Sequence, residues 1–174
     1  MNFKPQIALA AAAVTMLAAP ASAQKYVSYT ENALPYTVSL PADWYGLQMK
    51  GPAGVNLTSA QKAPFLPLIR LTYIPKTAAV NTLPKAVAAF EKELSNNGSI
   101  NLKRLGAKEA TYGNIAGKEM EYSLTGGGNE LRMRLWMGLG AKNVYAFQLL
   151  DKPATYAANR DKTFTPILNS VKFK

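Results

Sequence analysis

Residues 102–150 read LKRLGAKEATYGNIAGKEMEYSLTGGGNELRMRLWMGLGAKNVYAFQLL, and this stretch decides the fold. Apolar and polar residues alternate along it with the period of a strand, and three turn signals interrupt the alternation. Gly113-Asn114 suits a two-residue hairpin turn, which sets Ala107 opposite Met120, Leu105 opposite Tyr122 and Lys108 opposite Glu119. Gly126-Gly127-Gly128-Asn129 closes a second hairpin, in which Leu124, Tyr122 and Met120 face Leu131, Met133 and Leu135 while Glu121 lies opposite Arg134 on the other side. A third turn over residues 140–143 pairs Leu139 with Val144 and Met137 with Ala146. Trp136, Tyr145, Phe147 and Leu149 then share the second face, so the sheet is apolar on both sides and needs cover on both.

The flanking sequence supplies the cover. Thr82 is an N-cap candidate, Pro84 is tolerated in a first helical turn, and Leu83, Val87, Phe90 and Leu94 recur at helical spacing until Asn97-Gly98 ends the helix. This stripe is expected on one face of the sheet. Residues 153–169, with Tyr156, Phe164, Ile167 and Leu168 interrupted by Pro166, are expected on the other, ahead of a short strand near 170–173. Upstream, residues 36–40 read as a strand stopped by Pro41, with Asp43-Trp44 in a turn and short strands near 47–50 and 55–59. Pro64 and Pro67 make residues 61–67 a loop before a strand over 68–74, and residues 24–33 are expected to be loose. The expectation is an α+β domain, an antiparallel sheet with helices on both faces, spanning residues 24–174.

Residues 1–23 carry a basic start at Lys4, an apolar run over 7–19 and small residues at Ala21 and Ala23 before Gln24. This is the pattern of a cleaved secretory signal, and the run is shorter than the roughly 20 apolar residues that span a bilayer. Its removal leaves 151 residues and, because Lys4 goes with it, lowers the net charge from +10 to +9. Periplasmic or secreted localisation follows, with no membrane span left after cleavage.

The 174 residues include no histidine and no cysteine, which excludes a Ser-His-Asp triad, every thiol nucleophile and the commonest soft metal ligands. No cofactor is expected, and calcium-loop spacing is absent. With 48% hydrophobic and 17% charged residues the chain reads as globular and not disordered. Basic residues are spread along the whole length, so their pattern does not form a nucleic-acid footprint and favours an envelope protein or an anionic envelope surface as partner.

Tyr36-Thr37-Val38-Ser39-Leu40-Pro41 followed by Asp43-Trp44, the Gly-rich meander, and the closing Phe164, Ile167-Leu168 and Ser170-Val171-Lys172-Phe173 together resemble the PsbP-like and DcrB-like superfamily. The resemblance implies an antiparallel sheet with helices on both faces, and an accessory or binding role with no shared catalytic residues. Its members include extrinsic photosystem II subunits, bacterial envelope proteins and a nuclear import factor. The export signal here is of the bacterial secretory kind, without the Arg-rich and Ser-rich character of a chloroplast transit peptide.

Few residues invite a chemical role. Glu119 and Glu121 share one face of a strand, as a general acid and base would, but the register gives them Lys108 and Arg134 as neighbours, the arrangement of a surface ion pair. Glu91 and Glu93 diverge around their helix and are expected in solvent. Gly113 to Lys118 lacks the spacing of a phosphate loop and is better read as a hairpin, and Gly126 to Gly128 as a hairpin end and not an anion nest. Trp44 and Trp136 are expected in the core or as a lid. Lys103, Arg104, Arg132 and Arg134 are the candidate partner-binding residues, with Arg132, opposite only Ser123, less compensated than Arg134. The expected function is a non-enzymatic accessory or binding protein acting on an envelope component or partner protein. The alternative is a carrier holding a small apolar or anionic ligand between sheet and helix.

Overall fold

The four strands expected of residues 102–150 stand side by side and form one side of the main sheet, out to its edge, in a computed structural model that describes residues 24–47, 54–96 and 100–174. In chain order the elements are β1 (Tyr26–Thr30), β2 (Tyr36–Pro41), β3 (Tyr45–Leu47), β4 (Gly54–Thr58), β5 (Leu68–Pro75), α1 (Leu83–Asn96), β6 (Asn101–Tyr112), β7 (Ile115–Gly126), β8 (Asn129–Leu139), β9 (Asn143–Asp151), α2 (Pro153–Asn159), a π-helical turn (Arg160–Phe164), α3 (Thr165–Ser170) and β10 (Lys172–Phe173). Seven strands make one antiparallel sheet in the order β3-β4-β5-β9-β8-β7-β6, and β1-β2-β10 make a small second sheet. The expected signal segment over residues 1–23, and the expected ends of the strand near 47–50 and of the helix at Asn97-Gly98, lie outside the described residues.

The hairpin registers follow from turn chemistry. Gly113 and Asn114 both take positive φ, 52° and 69°, the two-residue turn whose twist suits a hairpin. Ala107 therefore faces Met120 and Lys108 faces Glu119, while the second and third turns set Leu131, Met133 and Leu135 against Leu124, Tyr122 and Met120, and Leu139 against Val144. One expectation fails. The ladder slips between Arg104 and Gly106, so Arg104 and not Leu105 faces Tyr122, and Lys103 faces Ser123. A bulge leaves one residue unpaired and reverses parity beyond it; here it turns Leu102 toward the core and leaves Leu105 44% exposed.

The two faces bury separate cores. On one, Val87, Phe90 and Leu94 of α1 pack on Met120, Tyr122, Leu124, Met133 and Leu135. On the other, Trp136, Tyr145, Phe147 and Leu149 meet Tyr156, Phe164, Ile167 and Leu168 of the C-terminal helices, as expected, and also Tyr36, Val38 and Leu40 of β2 and Leu34 from the β1–β2 connection. Trp136 is fully buried, its indole donating to the Ala110 carbonyl at 3.0 Å, and Trp44 packs on the same core half-buried.

The N-terminal segment is not loose, which corrects the reading of residues 24–33. Polar, aperiodic residues hide a strand because β1 needs no buried face of its own: it pairs with β2 over five residues. Tyr26 adds a tertiary tie. Pro166 has no N–H to offer the carbonyl one helical turn back, and the Tyr26 hydroxyl donates to that carbonyl, Lys162 O, at 2.9 Å.

Candidate functional site

A helix is about 10 Å across and strands lie about 4.8 Å apart, so a single helix covers two or three strands of a seven-stranded sheet. Packed against β8 and β6, α1 leaves the β5–β9 part of its own face open. The result is a groove of about 920 Å³ between Phe90 and Leu94 of α1, Leu66 of the 61–67 loop, and a floor of Leu68, Leu131, Met133 and Leu150. Small-molecule sites have this size and this make-up, mostly apolar walls with a few placed polar groups. The polar groups here are Arg70, Gln148, Glu93, Lys152, Glu130, Thr125 and Asn129.

Register places Arg70 on the floor. It lies opposite Gln148 of β9 on one side and Asn56 of β4 on the other, and paired residues point to one face of a sheet. A carboxamide, guanidinium, carboxamide row thus crosses three strands. The Asn56 side-chain oxygen is buried without a hydrogen-bond partner, and among the described residues Arg70 makes no ion pair. Glu130 is already engaged, held by Arg132 at 3.1 Å and accepting from Ser123 at 3.4 Å. Arg70 escaped sequence reasoning because it stands as a single cation in an apolar strand; the alternation Leu68, Arg70, Thr72 was the available signal.

The carboxylates singled out from the sequence are structural. Glu119 is 4% exposed and Arg134 5%, with Arg134 Nη2 donating to Glu119 at 2.5 Å and Nη1 donating to the Thr165 hydroxyl at 2.6 Å. Tyr112 donates to Glu119 at 2.9 Å and Lys108 lies 3.2 Å from it. Burial by itself would raise the Glu119 carboxyl, but the hydrogen bond and charge of Arg134, with Tyr112 and Lys108, outweigh it and hold the pKa below the usual carboxylate range. The surface ion pair expected at Glu119 is therefore a buried one. The reason is cover: Arg134 lies under the C-terminal helices, against the Phe164 ring at 5.7 Å. Glu121, opposite Arg134 as expected, turns instead to Arg160 at 3.3 Å. Glu91 is also not free in solvent, since it accepts from Arg104 and, at 2.8 Å, from Tyr122.

The four candidate partner-binding cations do not form one patch. Arg134 is buried, and the bulge puts Arg104 on the α1 side, where it pairs with Glu91. Lys103 and Arg132 remain on the other face, both across from Ser123. Asp151, next in that row, is 1% exposed and accepts from the Lys152 N–H and the Asn159 amide, each at 2.7 Å, which anchors the start of α2. Among the described residues no helix is long and apolar enough to cross a membrane.

No family model and no curated protein matches the chain. Solved structures do. Cyanobacterial PsbP (CyanoP) from Synechocystis sp. PCC 6803 superposes with a TM-score of 0.66 at 14% identity, over 92% of this chain and 99% of that one. The Ran-binding protein Mog1p of Saccharomyces cerevisiae gives 0.59 at 6% identity over 86% and 96%. LpqN of Mycobacterium tuberculosis, involved in cell envelope biogenesis, gives 0.56 at 15% identity over 86% and 91%. The layered sheet, its two cores and these superpositions agree on one architecture, and the chain has the PsbP-like fold.

Proposed function

We propose that the protein is a non-enzymatic binding protein of the bacterial cell envelope, exported by residues 1–23, and that it holds its ligand in the groove between α1 and the sheet. The groove carries this reading: about 920 Å³ of mostly apolar space at the level where a single helix fails to cover the sheet. The acidic residues that would serve catalysis support it from the other side, because Glu119 and Glu121 are committed to Arg134 and Arg160. A carboxylate locked to an arginine makes a poor general base, which needs a pKa near the working pH. The relationship of shape to an envelope-biogenesis protein is in keeping with the location.

One preparation tests location and ligand together. Protein exported by a bacterial host should show, under denaturing conditions, an intact mass beginning at Gln24, and Ala23→Trp should leave precursor. Under native conditions the same sample should carry a small-molecule adduct that Leu131→Trp, which fills the groove, removes. A mass that retains residues 7–19 would overturn the location. An adduct of equal abundance on wild type and Leu131→Trp would overturn the groove as the site.

A further inference from the structure

Resting on the groove as the binding site, we infer the class of its ligand: a single-chain amphiphile with an anionic, carboxylate-type head, its chain along the apolar floor and its head on Arg70. Leu68, Leu131, Met133 and Leu150 below and Phe90 and Leu94 above supply apolar wall and floor, which fits a hydrocarbon chain. The lining also carries Thr125, Asn129, Glu93, Glu130 and Lys152, and one polar row crosses the floor. The Arg70 guanidinium has Gln148 beside it across the β5–β9 pairing, and both can donate to the oxygens of one head group, the planar donor fork of arginine matching a carboxylate.

The charges around the groove point the same way. Arg70 and Lys152 line it as cations, and among the described residues neither makes an ion pair. Of the two acidic side chains on the lining, Glu130 is neutralised by Arg132, which leaves Glu93 on α1. Glu93 is exposed and more than 4.0 Å from the Arg70 charge, so it does not satisfy that guanidinium. Arg70 is exposed on the face that α1 leaves open, beside Leu68 and Leu150, and no carboxylate among the described residues pairs with it, so its guanidinium is available to an incoming anion. A cationic amphiphile meets both Arg70 and Lys152, against the one acidic lining residue, Glu93, that has no ion pair among the described residues.

The test compares decanoate, decanol and decyltrimethylammonium as displacers of a fluorescent fatty-acid probe from the full chain, at low ionic strength and again at 0.5 M salt. Decanoate is expected to bind at least tenfold more tightly than decanol, with the cationic chain weakest. Arg70→Gln should lower decanoate affinity about tenfold and leave decanol unchanged, Arg70→Lys should keep part of the preference, and the remote Lys25→Gln should keep all of it. Loss of the preference in Lys25→Gln as much as in Arg70→Gln would assign it to net charge and overturn the inference. Equal affinity for decanoate and decanol, both blocked by Leu131→Trp and by the second groove-filling variant Leu150→Trp, would overturn the head-group assignment while leaving the groove as a binding site. Absence of binding by all three chains would overturn the site and the inference together.

Discussion

Glu119→Ala should lower unfolding free energy by about 3–5 kcal/mol, the cost of leaving the Arg134 guanidinium buried without its counter-ion. Tyr112 and Thr165 remain as hydrogen-bonding neighbours of Arg134, but neither carries charge to balance it. The pair itself is a different matter from the loss of one member. Glu119→Leu/Arg134→Met removes both charges at once and should cost far less than the two single changes added together, because desolvation of the pair roughly cancels its attraction. Urea unfolding of the four proteins measures the coupling. Single-variant losses below 1 kcal/mol with strict additivity would mean that the pair behaves as an exposed one. The pH dependence has a definite sign. Because the folded pKa of Glu119 lies below its ordinary 4.5, its contribution to stability is present above that value and disappears as pH falls through the folded pKa. Glu119→Gln, which cannot titrate, should flatten that part of the acid limb of the stability curve.

Trp136→Ala is expected to cost about 3–5 kcal/mol, the usual range for emptying a fully buried aromatic site. The indole lies beside Phe147 with ring centres 5.5 Å apart and beside Phe173 at 6.1 Å, and its removal also takes the donor from Ala110 O. Gly117 and Gly138 face each other across β7 and β8 next to this ring, and a Cβ at Gly138 would collide with it. Gly138→Ala should therefore destabilise the wild type by about 1–3 kcal/mol as overpacking. In the Trp136→Ala background the same change should be neutral or stabilising, since the obstructing ring is gone and alanine is favoured over glycine in a strand interior. Equal effects of Gly138→Ala in both backgrounds, read from denaturant midpoints, would contradict the placement of the indole over these glycines.

Much of the architecture is legible before any coordinates. Three turns fix four strands by parity, and parity assigns Trp136, Phe147 and Leu149 to one core and Met120, Met133 and Leu135 to the other. The misses share a cause: each depends on a non-local partner. No local pattern marks β1, which exists because β2 offers an edge. Leu105 bulges because the packing of Leu102 and the Arg104–Glu91 contact favour the shifted ladder over the regular one. Glu119 looked like a surface residue because its strand alternates, and only the path of the C-terminal helices over Arg134 makes the pair a buried one. The groove is a consequence of area, one helix on a wide sheet, and its polar row needs β9 to pair with β5, a strand about 70 residues earlier in the chain. Of the cations picked from the sequence, Arg134 proves internal and Arg104 locally paired, whereas Arg70 was passed over.

The central claim, that the face left open by α1 is a binding site, is tested most directly by a methyl-resolved NMR titration of the protein with decanoate. Saturable shifts are predicted at the methyl groups of Leu94, Leu131, Met133 and Leu150, with those of Ile69, Leu71 and Ile167 in the opposite core unmoved. Shifts spread equally over both cores, or none at any decanoate concentration below micelle formation, would contradict it.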